Sequence, residues 1–345
     1  MQLQTKIKHL AVIRLSAMGD VAMTVPVLRA FATQYPDIEI TMVSRPFFEP
    51  LFEGIPNLTF FGVDLDNRHK GFGGLLKLYK DLKKLKIDAI ADLHNVLRSK
   101  IITALFALGG TSSVAFNKTR SAKKELVRPD KKIFRPLPTV FEQHLQVFAR
   151  LGFVLDLKRE NIYKPDIDPE VDKLTGEKSG NWIGIAPSAQ HPSKVYPADL
   201  MKVVVDALSQ YPKSKIFIFG AKEEAEILSG FSTAPNIIVT AGKLSFRQEL
   251  QLISQLDVML SMDSANGHLA AMYRIKVVTL WGSTHPYTGF APYGQPLHHS
   301  LTADREQFPQ IPTSIYGNKT VPGYEDAMRT ITPESVVEKV LSLLK

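Results

Sequence analysis

Four short segments of the chain combine glycine or proline with hydroxyl, carboxylate and cationic side chains, the residue types that can do chemistry on a bound ligand. The first reads Ile13-Arg-Leu-Ser-Ala-Met-Gly-Asp20-Val and follows an apolar run of strand length. Gly19 permits a tight turn, which brings Asp20 to the start of the next helix. A carboxylate in that position is predicted to face a ligand cleft. Aspartate is also a favoured helix N-cap, so capping alone would account for it.

The second segment reads Ser261-Met-Asp-Ser-Ala-Asn-Gly-His268-Leu-Ala-Ala. Its small and polar residues end a predicted strand and open an apolar helix, whose first backbone N–H groups attract anions such as a diphosphate. Ser264 adds a hydroxyl donor, and His268 lies one turn into the helix. A capped helix with a structural histidine is the alternative interpretation.

The third and fourth segments are also loops that follow predicted strands. Gly184-Ile-Ala-Pro-Ser-Ala-Gln-His-Pro-Ser-Lys194 carries a lysine that can neutralise a phosphate, although a loop lysine is ordinarily only solvated. Trp281-Gly-Ser-Thr-His-Pro-Tyr-Thr-Gly289 is rich in turn and hydroxyl residues. Together the four segments predict a ligand site at the carboxyl ends of strands.

The elements that must position these segments alternate along the chain between short apolar runs and amphipathic stretches. The predicted strands are 9–15, 38–44, 58–61, 88–93, 113–116, 182–186, 215–219, 237–239, 258–261 and 276–280. The predicted helices are 21–34, 75–85, 97–107, 140–150, 198–210, 223–228, 246–255, 265–273 and 333–344. This alternation indicates βαβ units in two open parallel sheets, with a ligand cleft where the carboxyl ends of their strands face each other. Pro26 predicts a kink or a late start in the first helix, and the polar stretch 156–181 is interpreted as the interdomain linker.

Two common nucleotide-binding signatures are missing from the sequence. No G-x-G-x-x-G follows the first predicted strand, and the P-loop spacing at Gly289 and Gly294 continues with Gln295 instead of lysine. A dehydrogenase or a P-loop NTPase is therefore not expected.

Length and composition favour a two-domain protein of the cytoplasm. The 345 residues exceed one ordinary domain core. Cysteine is absent, which excludes disulfides and thiolate metal sites and fits a reducing compartment. The apolar run near the N-terminus is too short for a secretion signal, and no stretch reaches the roughly 18 apolar residues of a membrane span.

The net charge of +8 is concentrated between Asn117 and Arg135. The basic residues of this stretch are Lys118, Arg120, Lys123, Lys124, Arg128, Lys131, Lys132 and Arg135, against Glu125 and Asp130. Such a patch attracts an anionic partner, a phosphorylated glycolipid or a membrane surface, although a solvated loop would have the same composition. No recognised motif accompanies the charge, so nucleic acid is not an expected partner.

The four segments, in this order, resemble the heptosyltransferase family of bacterial lipopolysaccharide core assembly (glycosyltransferase family 9), over nearly the whole chain. The resemblance implies an α/β fold of the GT-B type, two Rossmann-like domains with mainly parallel sheets facing a central cleft. It implies an N-terminal acceptor domain over 1–165 and a C-terminal nucleotide-sugar domain over 166–331. It also implies a final helix within 332–345 that crosses back to the N-terminal domain.

The activity implied by the resemblance is inverting transfer of a heptose from ADP-heptose to an anionic lipopolysaccharide-core acceptor. Asp20 matches the general base and Lys194 a lysine near the donor phosphates and sugar. The residues implied to bind the donor nucleotide sugar are Ser188, Glu224, Leu244, Asp263, Ser264, Ala265 and His268. Within this set, Glu224 matches a contact to the ribose and Leu244 a contact to the adenine. Ala265 stands where relatives usually have glycine, so the diphosphate position can differ.

The acceptor implied by the resemblance is a glycolipid at the cytoplasmic face of the inner membrane, where the protein would be soluble or peripheral. Its phosphates and carboxylates have the right sign for four cations expected on the acceptor domain. These are Lys118, Arg120, Lys123 and Lys124. No obligatory cofactor or metal is predicted, because a fixed lysine and a helix end can do a metal's electrostatic work. The alternatives are a GT-B enzyme using another nucleotide sugar, including a 2-epimerase, and a non-catalytic sugar-nucleotide-binding protein.

Overall fold

The alternating pattern of the sequence forms two parallel sheets, each in its own compact unit. The protein is represented by a computed structural model, and the structure describes residues 7–344. Residues 1–6 of the predicted first domain and Lys345 of the predicted last helix lie outside the described residues. The N-terminal unit contains the described chain up to Lys118 together with Val140–Tyr163. The C-terminal unit contains Thr119–Thr139 and the described chain from Lys164 onward.

Within the described residues the strands and helices are numbered in chain order. Strands β1 to β11 are His9–Ile13, Glu39–Ser44, Leu58–Gly62, Ala89–Asp92, Ser112–Ala115, Asn181–Ala186, Ser214–Ile218, Ile237–Val239, Val258–Met262, Lys276–Trp281 and Ser300–Thr302. Helices α1 to α12 are Met18–Ala22, Val25–Gln34, Gly71–Lys83, Leu97–Leu108, Arg120–Val127, Val140–Arg150, Pro169–Thr175, Ala198–Ser209, Ala225–Ser229, Phe246–Ser254, Ala265–Ala271 and Pro333–Leu344.

The strand order is β3-β2-β1-β4-β5 in the N-terminal sheet and β11-β10-β9-β6-β7-β8 in the C-terminal sheet. All the pairings are parallel; Ile13 of β1, for example, lies beside Asp92 of β4. Central strands such as β9 are buried along their whole length, because helices cover both faces of a parallel sheet. The prediction of two Rossmann-like α/β domains is confirmed.

Pro26 divides the first predicted helix into two. The short α1 ends at Ala22, and α2 begins at Val25 with Pro26 in its first turn, where the missing N–H of proline costs no hydrogen bond. The predicted late start is therefore confirmed. It leaves α1 as a separate single turn directly after β1.

The polar stretch 156–181, predicted as a linker, contains the helix α7. Asp168 caps this helix by accepting a hydrogen bond from the Glu170 N–H at 2.9 Å, and Pro169 occupies its first position. The division between the units falls before Lys164, ahead of this helix. An aspartate followed by proline is a helix start that outweighs the loop-forming composition around it.

The final helix, α12, belongs to the core of the C-terminal unit. Thr332 caps it by accepting a hydrogen bond from the Ser335 N–H at 3.2 Å. Its fully buried Val336 and Val340 lie in the same hydrophobic cluster as the buried face of α8. This packing differs from the predicted return of the helix to the N-terminal domain. An amphipathic sequence specifies that one face is buried, but not which surface buries it.

Ion pairs around Asp81 of α3 give the N-terminal unit a pH-dependent contribution to stability. Asp81 pairs with Arg68 at 2.6 Å and with Lys84 at 3.1 Å. The hydrogen bonds from Arg68 and then from Lys84 lower the pKa of Asp81 to about 2. Because the folded pKa lies below the unfolded value, this stabilisation is present above about pH 4 and is lost as pH falls toward about 2.

We therefore expect Asp81→Asn to lower the free energy of unfolding at pH 7 by roughly 0.5–1 kcal/mol, the range of partly exposed ion pairs. The difference from the wild type should shrink between about pH 4 and pH 2. Urea unfolding at several pH values measures it, with the exposed Asp37→Asn as control. A difference that is independent of pH would contradict the ion-pair explanation.

Candidate active site

Asp20 lies at the point in the N-terminal sheet where the strand order reverses, between β1 and β4. Open α/β sheets bind ligands at this point, beyond the carboxyl ends of the strands. β1 ends at Ile13, and Asp20 lies in the first turn of α1. Its carboxylate accepts a long hydrogen bond of 3.5 Å from the Ala17 N–H, and its side chain is 27% exposed. The Asp20 carboxylate therefore makes a capping contact at the start of α1 and remains partly exposed.

A buried arginine that the sequence did not single out holds Asp20. Arg14 forms an ion pair with the Asp20 carboxylate and donates further hydrogen bonds to Leu93 O at 2.6 Å and Ser16 O at 2.9 Å. These bonds join the turn after β1 to the end of β4 and fix the direction of the carboxylate. The available signal was the single arginine that interrupts the otherwise apolar run predicted as the first strand.

Two histidines near this ion pair are neutral. Burial, and then the Arg14 charge, lower the pKa of His94 to about 4. His144 is fully buried with its ring against Phe116, and burial lowers its pKa to about 3. The charge at this end of the sheet therefore comes from arginine, lysine and aspartate, while the imidazole rings remain uncharged at neutral pH.

In the C-terminal sheet the strand order reverses between β6 and β9, and Lys194 and Asp263 follow these two strands. The Lys194 Nζ lies 3.1 Å from Asp263 Oδ2, and both side chains are nearly buried. The Thr284 hydroxyl donates to the same oxygen at 2.9 Å. A loop lysine that was expected to be solvated unless it bound a ligand is thus fixed by a carboxylate where the strand order reverses.

The loops around Lys194 are joined by short polar contacts. The Ser193 hydroxyl contacts the Ser283 hydroxyl at 2.7 Å and donates to Gly317 O at 2.6 Å. Gly317 has φ of +81°, and the stem of Lys194 lies where a Cβ at this position would be. Any other residue at 317 would strain the backbone and displace the lysine.

The turn after β9 presents the predicted diphosphate-binding residues. Ser264 is the N-cap of α11 but makes no side-chain capping bond, and its buried hydroxyl has no partner among residues 7–344. Ala265 is the first residue of the helix, and His268 is buried one turn further on. Asp263, the residue before the cap, connects this turn to Lys194. A polar hydroxyl without a partner at a strand end suits a ligand oxygen.

The remaining predicted donor residues lie after β6, β7 and β8, the three strands that follow β9 in the order of the C-terminal sheet. Ser188 is half-buried in the loop after β6. Glu224 accepts a hydrogen bond from the Ala221 N–H at 2.8 Å, which fixes its carboxylate at the start of the helix after β7. Leu244 is half-buried after Gly242, which has φ of +72°. All the predicted donor residues therefore lie in the C-terminal unit, beyond the carboxyl ends of the strands of its sheet.

The predicted acceptor cations are divided between the units. Lys118 lies in the N-terminal unit, whereas Arg120, Lys123 and Lys124 belong to the C-terminal unit through α5. The prediction that the basic stretch lies in the N-terminal domain is therefore wrong for residues 119–135. Arg120 and Lys124 are exposed, but Lys123 is buried.

The 119–139 segment is fixed to the C-terminal unit by aromatic and backbone contacts. Lys123 Nζ lies 4.8 Å from the centre of the Phe290 ring and 5.4 Å from that of Tyr316. Arg305 stacks on Phe134 with 3.4 Å between the guanidinium carbon and the ring centre. Lys132 donates to the carbonyls of Leu126 and Pro312, each at 2.8 Å. Part of the predicted basic patch therefore contributes to packing, because the side chains of Lys123 and Lys132 contact aromatic rings and backbone carbonyls inside the C-terminal unit.

The Asp-x-Asp spacing of a metal-binding pair occurs twice, and in each pair one carboxylate accepts hydrogen bonds from the backbone. Asp64, before Asp66, accepts a hydrogen bond from the Asn67 N–H at 3.0 Å. Asp168, after Asp166, is the cap of α7. Across residues 7–344 no group of three or more histidine, aspartate or glutamate side chains is arranged to hold a metal ion. In the same residues, no helix combines the length and the apolar character of a membrane span.

Residues 75–316 match the family model described as glycosyltransferase family 9 (heptosyltransferase). The lipopolysaccharide core heptosyltransferase OpsX of Haemophilus influenzae is 26% identical over 291 residues, which cover 83% of this chain and 82% of the relative.

Solved structures share the fold. A glycosyltransferase family 9 protein from Veillonella parvula superposes with a TM-score of 0.76 at 20% identity, covering 98% of this chain and 97% of the other. The Escherichia coli heptosyltransferase WaaC, solved with ADP-2-deoxy-2-fluoro heptose, gives a TM-score of 0.64 at 16% identity, covering 97% and 99%.

Proposed function

Because the chain belongs to glycosyltransferase family 9, the heptosyltransferases, we propose that it transfers a heptose from ADP-heptose to an anionic sugar of the lipopolysaccharide core. The family makes the chain a glycosyltransferase, and this favours transfer over an epimerase or a non-catalytic binding protein. The Haemophilus influenzae relative, a lipopolysaccharide core heptosyltransferase, supports the acceptor class. The ADP-heptose analogue bound to the Escherichia coli enzyme supports the donor.

The observation that carries the proposal is the set formed by Lys194, Asp263 and Thr284 where the C-terminal strand order reverses. A nearly buried ammonium group stabilises negative charge far better than an exposed one, because water screens it little. The unpartnered hydroxyl of Ser264 lies one residue from Asp263 and can donate to a phosphate oxygen. Such a set is suited to a diphosphate leaving group.

The reaction is a single displacement that inverts the anomeric carbon. The Asp20 carboxylate takes the proton of the acceptor hydroxyl, and the acceptor oxygen forms a bond to the anomeric carbon of the heptose. The bond from that carbon to the β-phosphate oxygen breaks, and its electron pair leaves with ADP. Lys194 and the Ser264 hydroxyl stabilise the charge that develops on the diphosphate. The transition state has oxocarbenium character, as in glycoside hydrolysis.

The other predicted donor residues are proposed to orient the nucleotide. Glu224 would accept hydrogen bonds from ribose hydroxyls, and Leu244 would contact the adenine face. Ala265 would donate its backbone N–H to the diphosphate, Ser188 would contact the donor from the loop after β6, and His268 would line the same pocket. Asp263 would face the sugar while holding Lys194.

The proposed acceptor is a phosphorylated or carboxylated glycolipid on the cytoplasmic face of the inner membrane. Exposed Arg120 and Lys124, together with Lys118, would supply electrostatic attraction to it. Lys123 is left out of this set because its side chain is buried between aromatic rings.

Titration calorimetry with ADP, UDP and GDP tests the donor. We expect ADP to bind about tenfold more tightly than the other two, since the apolar contact at Leu244 suits adenine better than uracil or guanine, whose carbonyl groups would lose hydrogen bonds to water. Ser264→Ala should weaken ADP binding by roughly threefold to tenfold, the effect of one hydrogen bond. Ser342→Ala on the exposed face of α12 is the matched control. Tighter binding of UDP or GDP would contradict the ADP-sugar donor, and no nucleotide binding would contradict the whole proposal.

We expect transfer to continue in the presence of a chelator, because Lys194 and hydroxyl donors supply the stabilisation of the leaving group that a metal gives elsewhere. Release of ADP from ADP-heptose is measured with and without EDTA, and after adding back magnesium. A rate lowered by more than about tenfold and restored by magnesium would show that a metal shares this role.

A further inference from the structure

The turns after β1 and β4 form one polar surface within the N-terminal unit. These strands are neighbours at the point where the strand order reverses, and Arg14 joins them by donating to Leu93 O at 2.6 Å. The Leu15 N–H donates to His94 Nδ1 at 3.4 Å. The imidazole is thus held beside the turn that carries Asp20.

The orientation of His94 leaves its other nitrogen for a ligand. Since Nδ1 accepts a hydrogen bond, the neutral ring carries its proton on Nε2. Burial and the charges of Arg14 and Lys118 keep the ring neutral by lowering its pKa to about 4. The residue is only partly buried, and the hydrogen bond that holds it within residues 7–344 is made at Nδ1 and not at Nε2.

Two further cations act electrostatically on the same ring. Arg98 lies in the exposed first turn of α4, and Lys118 follows β5; the charges of both act on His94. Asn95, in a left-handed conformation with φ of 49°, donates to Phe116 O at 2.6 Å and so ties the loop after β4 to the end of β5. An N–H donor, two cations and the Asp20 carboxylate therefore lie beyond the carboxyl ends of the neighbouring strands β1, β4 and β5.

We infer that His94 and Arg98 form an acceptor subsite for a sugar that carries an anionic group, a carboxylate or a phosphate. Arg98 and Lys118 bind the anion, and the His94 Nε2–H donates to a sugar oxygen. These two contacts hold the attacking hydroxyl at Asp20. The assignment of this ligand as the acceptor rests on the proposed transfer reaction.

The test uses the full chain and two probes. The first is deacylated lipid A carrying the sugar acid Kdo, which has phosphates and a carboxylate, and the second is the same glycan after removal of its phosphates. Glycan affinity is measured by titration calorimetry and transfer by ADP release. His94→Leu removes the donor, whereas His94→Gln places an N–H near the Nε2 position. We expect His94→Leu to weaken glycan binding and raise the acceptor KM by about tenfold, and His94→Gln to stay within about threefold of the wild type.

Arg98→Gln, on an exposed position, is the second variant and should weaken glycan binding by about tenfold. ADP affinity should be unchanged in all three variants, because the donor residues lie in the other unit. If phosphate removal from the glycan abolishes the effect of Arg98→Gln, the bound anion is the phosphate; if the effect persists, it is the carboxylate. Unchanged glycan affinity in both His94→Leu and Arg98→Gln would overturn the subsite. Glycan binding without any transfer by the wild type would overturn the proposed reaction and leave the subsite supported.

Discussion

Replacing Asp20 with asparagine is expected to lower kcat by about 10²–10⁴-fold, the contribution of a positioned general base. Asparagine keeps the size of the side chain and can still accept hydrogen bonds from Arg14 and the Ala17 N–H. It cannot take a proton from the acceptor hydroxyl. The loss should therefore fall on kcat and not on the affinity for ADP.

The ion pair with Arg14 requires a control, because asparagine leaves a buried guanidinium without its counter-charge. Some loss of thermal stability is expected for this reason, and kinetics must be measured well below the melting temperature. Asp88→Asn is a control at the opposite end of the same pair of strands: Asp88 immediately precedes β4 and accepts hydrogen bonds from the backbone N–H groups of Lys8 and His9 at the amino end of β1. It should affect stability and leave kcat unchanged.

Asp20→Ala and Asp20→Glu complete the series. Alanine removes both the base and the contact to Arg14, and glutamate restores a carboxylate that is displaced by one methylene group. We expect alanine to match asparagine in kcat and glutamate to recover part of it. A fall of less than about tenfold in Asp20→Ala would exclude general-base catalysis by this residue.

The positions of Asp20 and of the predicted donor residues could be read from the sequence because each lies in the turn, loop or first helical turn that follows an apolar strand. Lys194 and Asp263 follow strands that are far apart in the chain. These strands are neighbours where the strand order reverses, which is the point at which parallel sheets bind ligands. Once βαβ units are predicted, the residues where the strands end are enough to predict the position of the site. The contact between the two side chains, at 3.1 Å, is a detail that the strand ends do not predict.

The course of the 119–139 segment could not be predicted, because its partners are remote in sequence. Phe134 stacks on Arg305 and Lys132 reaches Pro312, and neither contact leaves a local pattern. The charge density of the segment predicted a solvated or ligand-binding surface, yet Lys123 lies on the buried face of α5. Long cationic side chains can pack their stems and their charge against aromatic rings, which composition alone does not reveal.

The contact between Arg14 and Asp20 also could not be predicted from the sequence, although the two residues are close in the chain. The two residues are six positions apart, but the turn between them determines whether they meet. The sequence suggested N-capping or catalysis for Asp20 as separate interpretations. In the structure a weak capping contact and a strong ion pair occur together, and neither buries the carboxylate fully.

The second large effect is expected at Lys194. Replacing it with methionine should lower kcat by about 10²–10³-fold, the loss seen when one preorganised group that stabilises developing charge is removed. Methionine keeps an unbranched stem of similar length over Gly317, so the loop should retain its course. Lys202→Met on the exposed face of α8 is the matched control and should leave kcat unchanged.

A fall in activity of Lys194→Met has two possible causes, because the substitution also leaves Asp263 nearly buried without its cation. An uncompensated buried carboxylate is costly and can distort the turn that carries Ser264. The double variant Lys194→Met/Asp263→Asn removes this cost, since asparagine can still accept the hydrogen bond from Thr284. Stability and ADP affinity should then recover while kcat stays low, because neither substitution restores a positive charge to the leaving group. Recovery of kcat in the double variant would instead show that Lys194 serves only to neutralise Asp263.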